Sequence, residues 1–243
     1  MSTCQHRVPT RLSDGELLAA RLDLGYLRAA DGALLATNEW ERRPPPLLHV
    51  VRRAPSDGAP IDWACRHDVP EAQRVAVAEV LGAWQQHADR LGDELIAVLR
   101  PSGASRYWGG PAARLKTMTA EAAALAPLFR VLPACESLLQ PLLADWVPDL
   151  EHRHPMLAVV VEGRAVAVCA TVRDAHGLHE AGVETAPEWR RRGCGVIAVA
   201  AWVQAVLAGG ARPLYTTTWD NRASLAVARR CGFVPFAEDL CVG

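Results

Sequence analysis

From Met156 onward, apolar positions fall into runs whose period and punctuation define elements. Met156 to Val161 and Ala165 to Val172 are β-branched runs joined by Glu162-Gly163-Arg164, which predicts a tight hairpin. Leu178 to Thr185 predicts a third strand, stopped near Pro187. Val196, Val199, Ala200, Val203, Val206 and Leu207 then form a broad apolar stripe at helical spacing. Pro213 to Trp219 reads as the next strand, Asn221 to Cys231 as the last helix and Phe233 to Val242 as a final strand. Upstream, Thr119 is placed to cap a helix through Arg130, with Glu121 and then Leu125, Leu128 and Phe129 on one side. Glu136 to Trp146 predicts a second helix, broken at Pro141, and a first strand is placed near Leu115.

The first hundred residues are less regular. Leu47 to Val51 is a short apolar run between Pro44-Pro45-Pro46 and the turn-rich Ala54 to Pro60, consistent with a strand. Pro70 opens a helical pattern in which Val75, Val77, Val80, Leu81 and Trp84 fall mostly at helical spacing, with Glu71 and Glu79 outside. Asp93 to Leu99 reads as another strand. Arg100 to Ala113 is rich in glycine, proline and serine and marks the expected boundary, giving an N-terminal region 1–110 of unassigned fold and a second domain 111–243.

Composition narrows the class. Half of the 243 residues are apolar and 22% are charged, as in an ordinary globular protein, and a net charge of -1 supplies no field to recruit nucleic acid or an anionic membrane. The seven cysteines are scattered and include no C-x-x-C pair, so reduced cytoplasmic thiols are expected and a zinc site is not. His152 and His154 in "EHRH" lack a third ligand, and His179 points away from the carboxylates of its own strand. The N-terminus shows no signal-peptide core, and Val196 to Ala208 is too short to span a bilayer, so a cytoplasmic location is expected.

The chemistry concentrates in "VETAPEWRRRGCGV", Val183 to Val196. A strand, an arginine-glycine loop and a long helix in that order make an anion site. Glycines let backbone approach a ligand, and the first helical turn leaves N–H donors without partners. Arg190, Arg191 and Arg192 add positive charge, while a solvated basic patch is the competing reading. No Lys-Ser/Thr follows the last glycine, which argues against a P-loop. Cys194 sits where a helix N-terminus lowers a thiol pKa, or else is only a small filler.

The spacing Arg190-x-x-Gly193-x-Gly195 after a strand resembles the acetyl-CoA-binding motif of the GNAT superfamily of N-acetyltransferases. A second block, Pro213 to Phe236, resembles the end of such proteins: a strand, Asn221 opening the last helix, and Gly232-Phe233 closing it. The resemblance implies an α/β (α+β) GNAT fold, a mixed, mostly antiparallel sheet flanked by helices, over about residues 113–243. It also implies a bacterial subgroup with an extra N-terminal region. It implies acetyl-CoA as co-substrate, with Val183 and Thr185 offering backbone groups to the pantetheine arm. Arg190, Arg191, Arg192, Gly193, Cys194, Gly195 and Val196 would hold the pyrophosphate, with Asn221 near the cofactor or acting only as a helix cap.

One position departs from that pattern. Seven residues after the asparagine, where many family members place a tyrosine that protonates the leaving thiolate, this chain has Ala228. Tyr215, Thr217 and Ser224 are the nearby replacement donors. For the base, Glu184 and Glu180 share a face of the third strand, Glu184 being closer to the expected thioester; a solvent-facing glutamate is the competing reading. The expected activity is acetyl transfer to a primary amine of a small molecule, with no nucleic acid, membrane or metal involved and a homodimer allowed. A binding-only acyl-CoA sensor, or degenerate acetyltransferase with a regulatory role, is the alternative that Ala228 keeps open.

Overall fold

Strands β1 (Tyr26–Arg28) and β2 (Leu34–Thr37) form a separate ribbon. The other nine form one sheet: β3 (Leu48–Arg53), β4 (Ile61–Cys65), β5 (Tyr107–Leu115), β6 (Arg130–Pro133), β7 (Met156–Val161), β8 (Arg164–Ala175), β9 (Leu178–Thr185), β10 (Arg212–Thr216) and β11 (Phe233–Val242). Their spatial order is β4-β3-β11-β5-β10-β9-β8-β7-β6, and among the described residues only the β9–β10 strand pairing is parallel. The computed structural model describes residues 13–54, 61–83, 90–125 and 130–243. The architecture is the mixed, mostly antiparallel α/β sheet flanked by helices that the GNAT resemblance implies.

Local sequence explains the middle of the sheet. Glu162 and Gly163 both take positive φ (50° and 77°), the backbone that a two-residue hairpin between β7 and β8 requires. Helix α7 (Cys194–Ala208) is apolar nearly all round because it is covered on nearly all sides. Val196, Ile197, Val199, Trp202, Val203 and Val206 are buried between the sheet and helices α5 (Ala120–Leu125) and α8 (Arg222–Cys231), whereas Leu207 is exposed. Fully burying one such aliphatic side chain contributes about 1.5–3 kcal/mol. Thr119 accepts from the Ala122 N–H, the cap the sequence suggests.

Several expectations need correction. Asp93 to Leu99 is helical, within α4 (Leu91–Leu99). Leu91, Leu95 and Leu99 recur every four residues and pack on α3 (Glu71–Ala83), a contact that overrides the strand-like look of a short apolar run. The helix from Thr119 does not continue to Arg130, which opens β6; Leu128 and Phe129, like Trp84, lie outside the described residues. The helix from Glu136, α6 (Glu136–Leu139), closes ahead of Pro141, and the chain resumes as a 3-10 turn at Ala144–Asp149.

The strand expected near Leu115 is β5, and it lies inside the sheet between β10 and β11. The 110/111 boundary therefore falls within a strand, and β3 and β4 extend the same sheet beyond β11. Close approach is built into β5: a Cβ on Gly110 would lie 1.8 Å from the Thr217 carbonyl oxygen. Helices α1 (Asp14–Ala19) and α2 (Arg21–Gly25) cover the face of the sheet opposite α7 and α8, packing on Val51, Ala112, Leu214 and Phe236.

Candidate active site

The parallel pairing of β9 with β10 covers only Leu178–Glu180 against Arg212–Leu214. Beyond it β9 continues to Thr185 paired with β8 alone, and β10 continues to Thr216 paired with β5. Two strand edges thus face each other without a ladder, and Val183 and Thr185 stand on one of them. Arg190 Nε donates to the Thr185 carbonyl at 3.3 Å, tying the loop to the strand end.

The loop ends at Gly193, whose φ of 84° breaks the chain into α7. No side chain caps this helix and its first turn holds no acid, so the first N–H groups and the dipole point outward unopposed. A Cβ on Gly195 would lie 3.1 Å from Thr185 Oγ1 and 3.7 Å from Val227, so strand, loop and α8 converge there. Arg190, Arg191 and Arg192 are exposed, Arg192 lying 4.7 Å from the Trp189 ring. Val196 and Cys194 are buried, and burial pushes the Cys194 thiol pKa up despite the nearby helix start and Arg192.

On α8, Asn221 Oδ1 accepts from the Ser224 N–H at 3.0 Å, a helix cap. Tyr215 and Ser224 share a hydrogen bond of 2.8 Å between their hydroxyls. Burial raises the Tyr215 pKa, so its phenol stays neutral and able to donate. Ala228 is buried nearby with no donor of its own.

The two carboxylates on β9 part company. Glu184 is exposed and accepts from Trp146 Nε1 at 2.7 Å. Glu180 is buried and saturated: Arg21 donates at 3.0 Å, Arg173 at 3.2 Å, and Thr216 Oγ1 also donates to it. Burial opposes its charge, but Arg21 and Arg173 hold its pKa below the usual carboxylate range. Arg21 also grips Asp239 at 2.6 and 3.0 Å, Arg173 reaches Glu39, and His49 Nε2 lies 3.3 Å from Asp239. Tyr26 closes the chain of groups, its hydroxyl 2.9 Å from His49 Nδ1.

Sequence reasoning missed this network. Its members lie up to 218 positions apart, and only the charges inside the apolar runs around Arg21 and Asp239 hinted at it. Arg21, Tyr26, Glu39, His49, Arg173 and Asp239 of this network line a cavity of about 700 Å3 that reaches Thr216 to Thr218 at the end of β10. Tyr215 and Thr216 are adjacent in β10 and point to opposite faces, so this cavity opens on the side away from α8.

The sequence model of the acetyltransferase (GNAT) family matches residues 122–233. That segment, a little under half of the chain, is similar to a GNAT acetyltransferase domain. Among solved structures, the chain is similar to a GCN5-related N-acetyltransferase-like protein from Streptococcus suis (15% identity, 63% of this chain and 69% of that one, TM-score 0.49). It is also similar to a GCN5-related N-acetyltransferase from Sphaerobacter thermophilus (13%, 75% and 71%, 0.48). A GNAT-family protein from Novosphingobium aromaticivorans is 18% identical with a TM-score of 0.45; the match covers 57% of this chain and 65% of that one, just under two thirds. No curated protein matches. Among the described residues no helix is long and apolar enough to cross a membrane.

Proposed function

We propose that this protein is an N-acetyltransferase that passes the acetyl group of acetyl-CoA to a primary amine of a small molecule, in a ternary complex. The observation that carries the reading is the unladdered opening between β9 and β10, which leads to the uncapped start of α7. Pyrophosphate would rest on the N–H groups of residues 193–196 beside Arg190. The pantetheine arm would lie along Val183 and Thr185, and the thioester would face Tyr215 and Ser224. The amine would enter from the polar cavity, whose wall from Pro44 to His49 belongs to the N-terminal region; residues 1–110 would then cover the acceptor site.

The amine nitrogen attacks the thioester carbonyl, a backbone N–H of β9 stabilises the oxyanion, and the C–S bond breaks. Glu184, directly or through water, accepts the amine proton; Glu180 is already committed to two arginines. The neutral Tyr215–Ser224 pair would protonate the departing sulfur. Holding amine and thioester together contributes roughly 7–11 kcal/mol, against a factor of about 10²–10⁴ for acid–base help, so the alanine at 228 slows such an enzyme without disabling it. Glu184→Gln is expected to depress the rate most at low pH, where free amine is scarce; a pH–rate profile unchanged from wild type would remove Glu184 as the base.

A second reading, an acyl-CoA-binding sensor or degenerate acetyltransferase, has Ala228 in its favour. Release of CoA thiol from acetyl-CoA across a panel of amines separates the two. Turnover with at least one small amine is expected, whereas binding with no turnover for every amine tested would favour the sensor.

A further inference from the structure

A second cavity, of about 470 Å3, opens on the α8 side of the sheet. Ala113, Tyr215, Leu225, Ala228, Phe233 and Pro235 give it apolar walls, and the exposed Arg222 and Arg229 also line it. The space exists because α8 presents only a methyl group to the sheet at Ala228. The Tyr215 hydroxyl is turned to Ser224 and its ring packs 5.4 Å from Phe233, so an apolar ring surface faces the hollow.

Tyr215 lines the cavity, and its hydroxyl hydrogen-bonds to Ser224, the pair that would face the thioester. An acyl chain passing Tyr215 on this face of the sheet would enter the hollow beside Ala228. Polar acceptors have the other cavity, across the sheet, lined by arginines and carboxylates.

We propose that the apolar cavity binds the hydrocarbon tail of an acyl-CoA longer than acetyl, in the range of butyryl to hexanoyl, so that the protein is an acyltransferase of short to medium chains. The inference rests on the CoA reading above and names the donor for that site. The chemical step is unaltered: a bond forms between the amine nitrogen and the acyl carbon. The C–S bond breaks with its electron pair staying on sulfur, and the proton lost by the amine balances the one gained by the thiolate. Arg222 and Arg229 reach the cavity from exposed positions, which makes a chain ending in a carboxylate the competing chemistry. Ala113, Tyr215, Ala228 and Phe233, the buried part of the wall, favour a hydrocarbon.

Equilibrium binding of CoA, acetyl-, butyryl-, hexanoyl- and succinyl-CoA to the full chain tests this without knowledge of the acceptor. Each methylene that enters the cavity is expected to tighten binding about fourfold, about 0.8 kcal/mol, so butyryl-CoA should bind about 15-fold more tightly than acetyl-CoA. Ala228→Phe fills the cavity and should flatten the series. Leu225→Ala, which removes one wall instead, should weaken the hexanoyl gain and serves if the phenylalanine variant does not fold. A flat or falling series from acetyl to hexanoyl overturns the proposal, as does succinyl-CoA binding more tightly than butyryl-CoA or a gradient that survives both variants. Failure of CoA itself to bind refutes the cofactor reading, and is told apart by the missing signal for unacylated CoA.

Discussion

Replacing Arg21 with alanine is expected to lower the unfolding free energy by about 3–5 kcal/mol, because it strands two buried carboxylates, Glu180 and Asp239, without their shared cation. In a chain of this size that corresponds to a fall of roughly 6–20 °C in the melting temperature, read by circular dichroism. The exposed pair of Arg230 with Glu121 supplies the comparison: alanine at 230 should cost at most about 1 kcal/mol. Equal losses in the two variants would show that the buried network is no keystone.

The network also sets a pH dependence. Burial opposes ionisation of Asp239, but Arg21 and His49 outweigh it and hold its pKa far below the usual range. A depressed carboxylate gives stability that is present above about pH 4 and lost as pH falls through the lower folded value. His49 has the opposite sign. Burial works against its charge, yet Cys241 and Asp239 raise its pKa to about 9. Its contribution is complete below about pH 6.5 and is lost as pH rises through 9. His49→Asn should flatten the alkaline limb of the stability profile and, because His49 helps hold Asp239 low, weaken the acid limb as well; an unchanged alkaline limb contradicts the assignment.

Gly193→Val is expected to abolish the protection that CoA gives against heating. The backbone at 193 has φ 84°, which a β-branched residue enters only at a cost of roughly 1–3 kcal/mol, and the new side chain would stand where the pyrophosphate must approach. Strain alone would lower stability without touching the ligand effect, so a second glycine is needed for contrast. Gly163 in the β7–β8 hairpin has φ 77° and open space around it. Gly163→Val should lower the melting temperature and keep the CoA-induced rise. Should Gly193→Val keep that rise too, the anion site is elsewhere.

Much of the backbone proposed to hold the cofactor was legible because it is local. A hairpin at Glu162-Gly163, a strand ended near Pro187, a positive-φ glycine before a helix and an asparagine cap at 221 each act within a few residues. What the sequence concealed is non-local. Nothing near Leu115 says that β5 pairs with both β10 and β11, and nothing near Arg21 names partners 159 and 218 positions away. Asp93 to Leu99 is ambiguous by itself, and only packing on α3 settles it as helix. Glu180 and Glu184 looked equivalent on alternation alone; depth separates them, one being sealed under two arginines and the other open beside Trp146.

The crystal structure of the full chain with CoA bears most directly on the cofactor assignment. The pyrophosphate should sit within hydrogen-bond distance of the backbone N–H groups of residues 193–196. The sulfur should lie in the opening between Val183 on β9 and Tyr215 on β10. CoA bound anywhere else, or with its pyrophosphate away from the start of α7, would contradict it.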